Sequence, residues 1–295
     1  WNLTPLEERW GPRANAVGRR IAVRSDDDLP LVRASAVAAG QVLGLACAGE
    51  EHRVEAHVER GKLGVFGEVV GPCCEGSGVA LAMSVGGTRW ETVTFSLGRG
   101  MEVLPTALDV QPEGINDRGQ ILGSLLTGTQ QASYIYDRGA VTQLQGAGAA
   151  YVYAYDINDR GWVTGGMSRD RVRGQAFLYK PGTGIVDLMA RGANDGFINT
   201  YGVALNNRGQ VVGSGWDGRD TAGFYYDKKT GIVRLSKLVE PADMAGWRLW
   251  DGFAINNRGQ ILAYGLRDGS NVTTVVLLTP VKKAGPDHDH DHDHD

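Results

Sequence analysis

The sequence predicts an all-β chain built of six equivalent four-stranded units, and three observations carry this. Glycine accounts for 43 of the 295 residues, about 15% against the usual ~7%. Each interior glycine costs a helix about 0.5–1 kcal/mol, so long helices are excluded and frequent turns are implied. A nine-residue motif recurs, and short alternating apolar runs flank each copy. Apolar residues at 42% and charged residues at 22% supply ample core and exclude global disorder.

Four segments define the motif, beginning Ile115-Asn116-Asp117-Arg118-Gly119-Gln120, Ile157-Asn158-Asp159-Arg160-Gly161-Trp162, Leu205-Asn206-Asn207-Arg208-Gly209-Gln210 and Ile255-Asn256-Asn257-Arg258-Gly259-Gln260. Two weaker copies precede them, with Val37 and Glu75 at the Asn position. Aligned on the first glycine, the copies fall at Gly40, Gly78, Gly119, Gly161, Gly209 and Gly259, spaced 38, 41, 42, 48 and 50 residues. Asn-Asx-Arg-Gly between two β runs is hairpin chemistry: the Asn side chain closes a turn on its own backbone and Gly supplies positive φ. The glycine four residues later, replaced by Ala82 and Ala263, implies close approach of a neighbouring backbone. Calcium binding at these turns is rejected, because the acidic spacing of a Ca²⁺ loop is absent.

After each motif come a loop, an aromatic or β-branched run such as Ala176-Phe177-Leu178-Tyr179, and a last run closed by Leu104, Leu144, Leu188 or Leu235. Before it lies another alternating stretch, as in Tyr151-Val152-Tyr153-Ala154-Tyr155. Four strands per unit of about 40–50 residues predict a six-bladed β-propeller. The sixth unit lacks its fourth strand after residues 273–279. The run Arg19-Arg20-Ile21-Ala22-Val23-Arg24 is expected to supply it, so that an N-terminal strand closes the ring. The expected organisation is an N-terminal arm with the closing strand at 1–30, the six units at 31–281 and a His/Asp-rich tail at 282–295. Seven blades or an open β-solenoid are the alternatives, since residues 15–18 read as a degenerate motif.

The Ile-Asn-x-x-Gly-Gln-Val/Ile-Val/Leu-Gly motifs, each followed by an Ala-Phe-Leu-Tyr type strand, resemble the HAF family of extracellular bacterial repeat proteins. Gln175-Ala176-Phe177 is the nearest approach to its His-Ala-Phe signature. The resemblance covers residues 110–280 well and 31–109 weakly. It implies an exported repetitive β-propeller and brings no catalytic residues.

Formal charge is −4, but residues 287–295 hold five of the 34 acids, and without them 29 acids face 30 bases. A nearly neutral body without a basic cluster argues against nucleic acid, and no apolar run reaches the ~18 residues of a membrane span. The chain starts at Trp1 rather than Met, which cleavage of a secretory signal explains economically, although an arbitrary start reads the same. A secreted protein, extracellular or periplasmic, is expected. Of three cysteines, Cys47 can pair with Cys73 or Cys74, as fits an exported protein; three buried thiols fit equally well.

In the tail, His288, His290, His292 and His294 alternate with Asp289, Asp291 and Asp293. An extended chain lines these imidazoles along one side and the carboxylates along the other. That set suits Cu, Zn or Ni, and a solvated tail is the plain alternative. Arg118, Arg160, Arg208 and Arg258 share one motif position. On blades they form a partial ring fit to bind an anionic polysaccharide or an acidic protein segment.

Signatures of catalysis are absent. His52 and His57, with Glu51 and Glu55, match no nucleophile, base or zinc pattern, and Asp26-Asp27-Asp28 reads as a solvated loop. The function expected is therefore a non-enzymatic interaction or structural module of an extracellular assembly, through a protein partner or self-assembly. A polysaccharide-binding or polysaccharide-cleaving propeller is the alternative, with tryptophans such as Trp247 and Trp250 to stack on sugars.

Overall fold

The computed structural model describes residues 2–5, 42–47, 50–59, 62–66, 78–85, 89–96, 100–103, 110–127, 130–146, 148–190 and 194–281; side chains are described at Leu3 and mainly from residue 113 to 281. These residues form six antiparallel sheets in chain order.

The first sheet contains β2 (Val42–Cys47), β3 (Glu50–Glu59) and β4 (Lys62–Phe66); the second contains β5 (Gly78–Val85), β6 (Arg89–Ser96) and β7 (Gly100–Val103). The third is β8 (Val110–Ile115), β9 (Ile121–Thr127), β10 (Gln130–Asp137) and β11 (Ala140–Gln143). The fourth is β12 (Tyr151–Ile157), β13 (Val163–Ser168), β14 (Gln175–Lys180) and β15 (Gly184–Asp187). The fifth is β16 (Asn199–Leu205), β17 (Val211–Trp216), β18 (Thr221–Asp227) and β19 (Gly231–Arg234). The sixth runs β20 (Trp247–Ile255), β21 (Ile261–Arg267), β22 (Thr273–Thr279), and then β1 (Asn2–Pro5).

The missing fourth strand of the sixth sheet is thus supplied from the N-terminal side, by a different segment than the sequence suggested. Leu3 pairs with Leu278 and Pro5 with Val276. The run at 19–24 lies outside the described residues, as does the degenerate motif at 15–18. Proline is acceptable in β1 because an edge strand leaves one row of backbone donors unused. Leu3 also packs against the apolar layer of the last two sheets, which fixes the register by burial.

Successive sheets stack face to face, and strand alternation explains how. In β14, Phe177 enters the layer shared with the third sheet, whereas Ala176 and Leu178 enter the layer shared with the fifth. In β18, Phe224 and Tyr225 divide in the same way. These strands are apolar on both faces because both faces are covered. Leu144, Leu188 and Leu235 each stand just beyond a fourth strand and are essentially inaccessible, at 2%, 0% and 0% exposure. Each plugs the layer toward the next sheet, where full burial of a leucine is worth about 1.5–3 kcal/mol.

From the fourth sheet on, each first strand lies against the middle strands of the preceding sheet: β12 on β9 and β10, β16 on β13 and β14, β20 on β17 and β18; β8 lies against β5 and β6 of the second sheet. The first strands also neighbour one another from β8 to β20. This meander, stacked with the first strands side by side, is a propeller-like arrangement. Among the described residues no helix is long and apolar enough to cross a membrane.

Candidate interaction face

The motif asparagines have a second task besides the turn. In the fourth sheet, Asn158 Oδ1 accepts the backbone N–H groups of Arg160 and Trp162, both at 3.0 Å. Gly161 takes φ of +71°, which lets its N–H reach the Asn158 carbonyl at 2.9 Å. The amide nitrogen then leaves its own turn: Asn158 Nδ2 donates to the Asn206 carbonyl of the next sheet at 2.9 Å. Asn116 donates to Asn158 O and Asn206 to Asn256 O, again at 2.9 Å. A parallel rung is built by the following residue. The N–H of Asp117 donates to Asp159 Oδ1, that of Asp159 to Asn207 Oδ1, and that of Asn207 to Asn257 Oδ1, at 3.1, 3.0 and 2.8 Å.

Two hydrogen-bonded rails therefore join four turns separated by 42, 48 and 50 residues. Asn116, Asn158 and Asn206 are nearly inaccessible, at 4%, 0% and 2% exposure, so their amides must be paired. The turn role is legible from the motif. The linkage is not, although one signal for it exists: position two is always Asp or Asn, a side chain with an acceptor oxygen, while the units differ in length.

The residue after the motif glycine completes the contact. Gln120, Gln210 and Gln260 accept from their own Asn Nδ2 at 2.7, 2.6 and 2.9 Å. Trp162 replaces this Gln in the fourth sheet; its ring lies against Gly209 of the next turn, and Lys180 Nζ sits 3.8 Å from its centroid. That is cation–π geometry.

Because the rails align the turns, Arg118, Arg160, Arg208 and Arg258 are brought onto one face, all exposed. Arg118 is partly committed, since its Nε donates to the Asp159 carbonyl. The turns joining third and fourth strands share this end, as Tyr136 pairs with Ile121, Tyr179 with Val163 and Tyr226 with Val211. They add Arg138, Lys180, Lys228 and Lys229. Among the described residues these turns carry eight cations against four carboxylates: Asp117, Asp137, Asp159 and Asp227. The balance is uneven. Asp accompanies Arg118 and Arg160, whereas neutral Asn207 and Asn257 accompany Arg208 and Arg258.

Two of these carboxyls, those of Asp137 and Asp227, have a lowered pKa. A hydrogen bond from Gln120, aided by Arg138, lowers the Asp137 carboxyl below the usual range. Burial pushes Asp227 up, but the backbone donors of Thr230 and Lys229 and the Tyr225 hydroxyl outweigh it, and the net shift is downward. Burial and the Asp227 charge raise the Tyr225 hydroxyl, which donates to Asp227 at 3.0 Å and accepts from Gln210 at 2.6 Å.

The remaining sequence candidates are scattered. The tail residues His288, His290, His292, His294, Asp289, Asp291 and Asp293 lie outside the described residues, as do Cys73, Cys74 and Asp26 to Asp28. Cys47 ends β2, while His52 and His57 lie in β3. Trp250 stacks on Tyr264 at 5.0 Å, with Phe253 on the same ring at 4.3 Å, so these aromatics pack together. Trp216 and Tyr201 are the more open ones, at 43% and 40% exposure. Among the described residues, no three His, Cys, Asp or Glu side chains converge in a metal-holding group.

No protein-family model matches the chain, and no curated protein matches it. Among solved structures it is similar to TolB from Acinetobacter baumannii at 14% identity and TM-score 0.42, covering 77% of this chain and 60% of that one. It is similar also to a protein designated TolB from Agrobacterium tumefaciens at 14% identity and TM-score 0.43, covering 74% of this chain and 79% of that one. The chain thus spans less than two thirds of the first. The all-β, propeller-like assignment rests on the chain's own sheets, their order and their stacking.

Proposed function

We propose that this chain is a secreted, non-enzymatic six-bladed propeller of the HAF type, each sheet being one blade, serving as an interaction or structural module of an extracellular assembly. One observation carries the reading: exposed arginines recur on turns that hydrogen bonds lock side by side, giving a preorganised cationic face. Preorganisation matters because binding then spends little free energy on ordering, and guanidinium forks suit carboxylate-bearing partners. Replacing Arg118, Arg160, Arg208 and Arg258 together by Glu should weaken binding of polyglutamate or an acidic polysaccharide at least tenfold, with an unchanged circular dichroism spectrum. Unaltered binding would remove the arginines from the function.

The tail is proposed as a divalent-metal binder through its four histidines. Titration calorimetry with Zn²⁺, Cu²⁺ or Ni²⁺ should show at least one ion bound per chain, and binding should vanish when residues 287–295 are removed. Retained stoichiometry in the shortened chain would refute it. A glycan-binding reading has one supporting observation, the exposed Trp216 and Tyr201 on the fifth sheet. Glycan-array binding abolished by Trp216→Ala, or release of reducing ends, would favour that reading.

A further inference from the structure

The outermost strand of the third sheet differs from its counterparts. β11 ends its sheet, and Ala140, Val141, Thr142 and Gln143 are all exposed, Val141 at 41%. The equivalent strands β15 and β19 are half-buried or buried throughout. On the side away from the first strands, the other sheets end in strands that each contain a charge or a proline: Lys62 in β4, Glu102 in β7, Asp187 in β15, Arg234 in β19 and Pro5 in β1. Such residues discourage a sheet edge from pairing with another chain. β11 has neither, and its Val141 and Thr142 are β-branched residues that favour an extended strand.

The backbone of β11 also dictates a register. It follows β10 through a two-residue turn, Arg138 at φ +47° and Gly139 at φ +92°, with Asp137 opposite Ala140. Leu144 N–H donates to the Ser133 carbonyl at 2.8 Å. Bonded residues alternate along an antiparallel ladder, so Ala140, Thr142 and Leu144 turn their backbone groups toward β10. The N–H and C=O groups of Val141 and Gln143 therefore point outward from the edge. A second β11 laid antiparallel along this edge exchanges bonds between Val141 of one copy and Gln143 of the other, twice over, and sets Thr142 against Thr142 on the two-fold axis. Ala140 then lies opposite Leu144. No charge meets another within this register, and one patch serves both partners, as an isologous contact requires.

We propose that two copies of the chain associate by pairing β11 with β11, which joins their third sheets into one eight-stranded sheet. The proposal deepens the reading of the chain as a module of an assembly by naming a second copy as partner, and rests on that reading; it uses none of the four motif arginines. Two four-residue strands make a contact small beside the ~1,200–2,000 Å² of a stable complex. The dimer accordingly forms at high concentration and gains from tethering within a larger assembly.

Sedimentation velocity of the full chain from micromolar to millimolar concentration should show a reversible monomer–dimer equilibrium. Val141→Pro removes an N–H that β10 does not use, and should weaken dimerisation at least tenfold with an unchanged circular dichroism spectrum. Thr142→Lys and Thr142→Glu should each weaken it as much, because each sets like charges face to face across the axis. Mixing these two variants should restore a dimer with one copy of each, and 0.5 M NaCl should weaken that mixed dimer more than the unaltered one. A chain that stays monomeric throughout overturns the inference, with the edge then open to a strand of another protein. So does a dimer indifferent to Val141→Pro, or a pair of charged variants that fail to associate when mixed. If the dimer forms but replacing the four motif arginines by Glu leaves polyglutamate binding unaltered, the arginine reading falls and the edge contact stands. If polyglutamate binding depends on the arginines while the chain stays monomeric, the edge proposal alone falls.

Discussion

Replacing Asn158 by alanine should destabilise the protein by about 3 kcal/mol or more, since a buried group left without its partner costs ~1–3 kcal/mol. Three groups bond to this one amide: the N–H groups of Arg160 and Trp162, and the carbonyl of Asn206, which also accepts from Gly209 N–H. The side chain is completely inaccessible, so water cannot readily take its place. Asn158→Asp is the more informative variant. It retains the acceptor oxygen for the turn but loses the donor to the next sheet and sets a carboxylate against the Asn206 carbonyl. It should be at least as damaging as alanine, despite its near-identical shape, if the linkage between sheets is what the asparagine supplies. Urea unfolding measures the loss. Amide exchange should accelerate in the Asn206 turn as well as at Arg160; full stability in Asn158→Asp would show that the turn alone matters.

Gly213→Ala should cost about 1–3 kcal/mol or more, the range for overpacking a filled interior, and Gly213→Val should prevent stable folding. A Cβ at Gly213 would lie 1.9 Å from the Tyr201 carbonyl oxygen, and one at Gly165 would lie 2.1 Å from the Tyr153 oxygen. Both obstacles are backbone atoms, which cannot rotate aside. Each glycine faces a register shift of the first strand, between Gly202 and Ala204 or between Ala154 and Asp156. There the extra residue of a bulge kinks the first strand. The sixth sheet carries alanine at the equivalent position, Ala263, paired with Gly252, and its first strand has a second register shift at Leu249/Asp251. Thermal melts should show lower midpoints for Gly165→Ala and Gly213→Ala, with little change for Ala263→Gly beyond the lost methyl. Wild-type melting of Gly213→Ala would mean that β16 can move as a unit.

Much of this was legible in the chain because local chemistry sets it. Asn and Gly at fixed spacing specify a turn whatever surrounds them, and that reading holds at all four copies. The leucines that end the units become layer plugs, and the glycine four residues after the motif meets an opposing backbone as its smallness implied. Long-range choices were less legible. Asn2–Pro5 is four residues with a proline and has no alternation to mark it, whereas the run at 19–24 alternates well. Pairing with Thr273–Thr279 is decided by the partner's unfilled edge and by Leu3 reaching an apolar layer, neither of which is local. Similarly, the motif shows that Asn158 folds back on its own turn but not that its other nitrogen faces a carbonyl 48 residues away. The cationic face was half visible: the arginines repeat in the sequence, but Lys228 and Lys229 join them only because alternate hairpins of a meander point the same way.

Five of the six sheets are meanders, each assembled from one stretch of neighbouring chain, and a stack of such pieces could fray from either end. The pairing of β1 with β22 alters the order of events. Of the described strands β1 comes first and β22 last in chain order, so the sixth sheet is completed only after the strands of the other five have been made. Unfolding should then lose its preferred starting point, and the molecule should resist proteases and heat as a single cooperative body until that clasp opens.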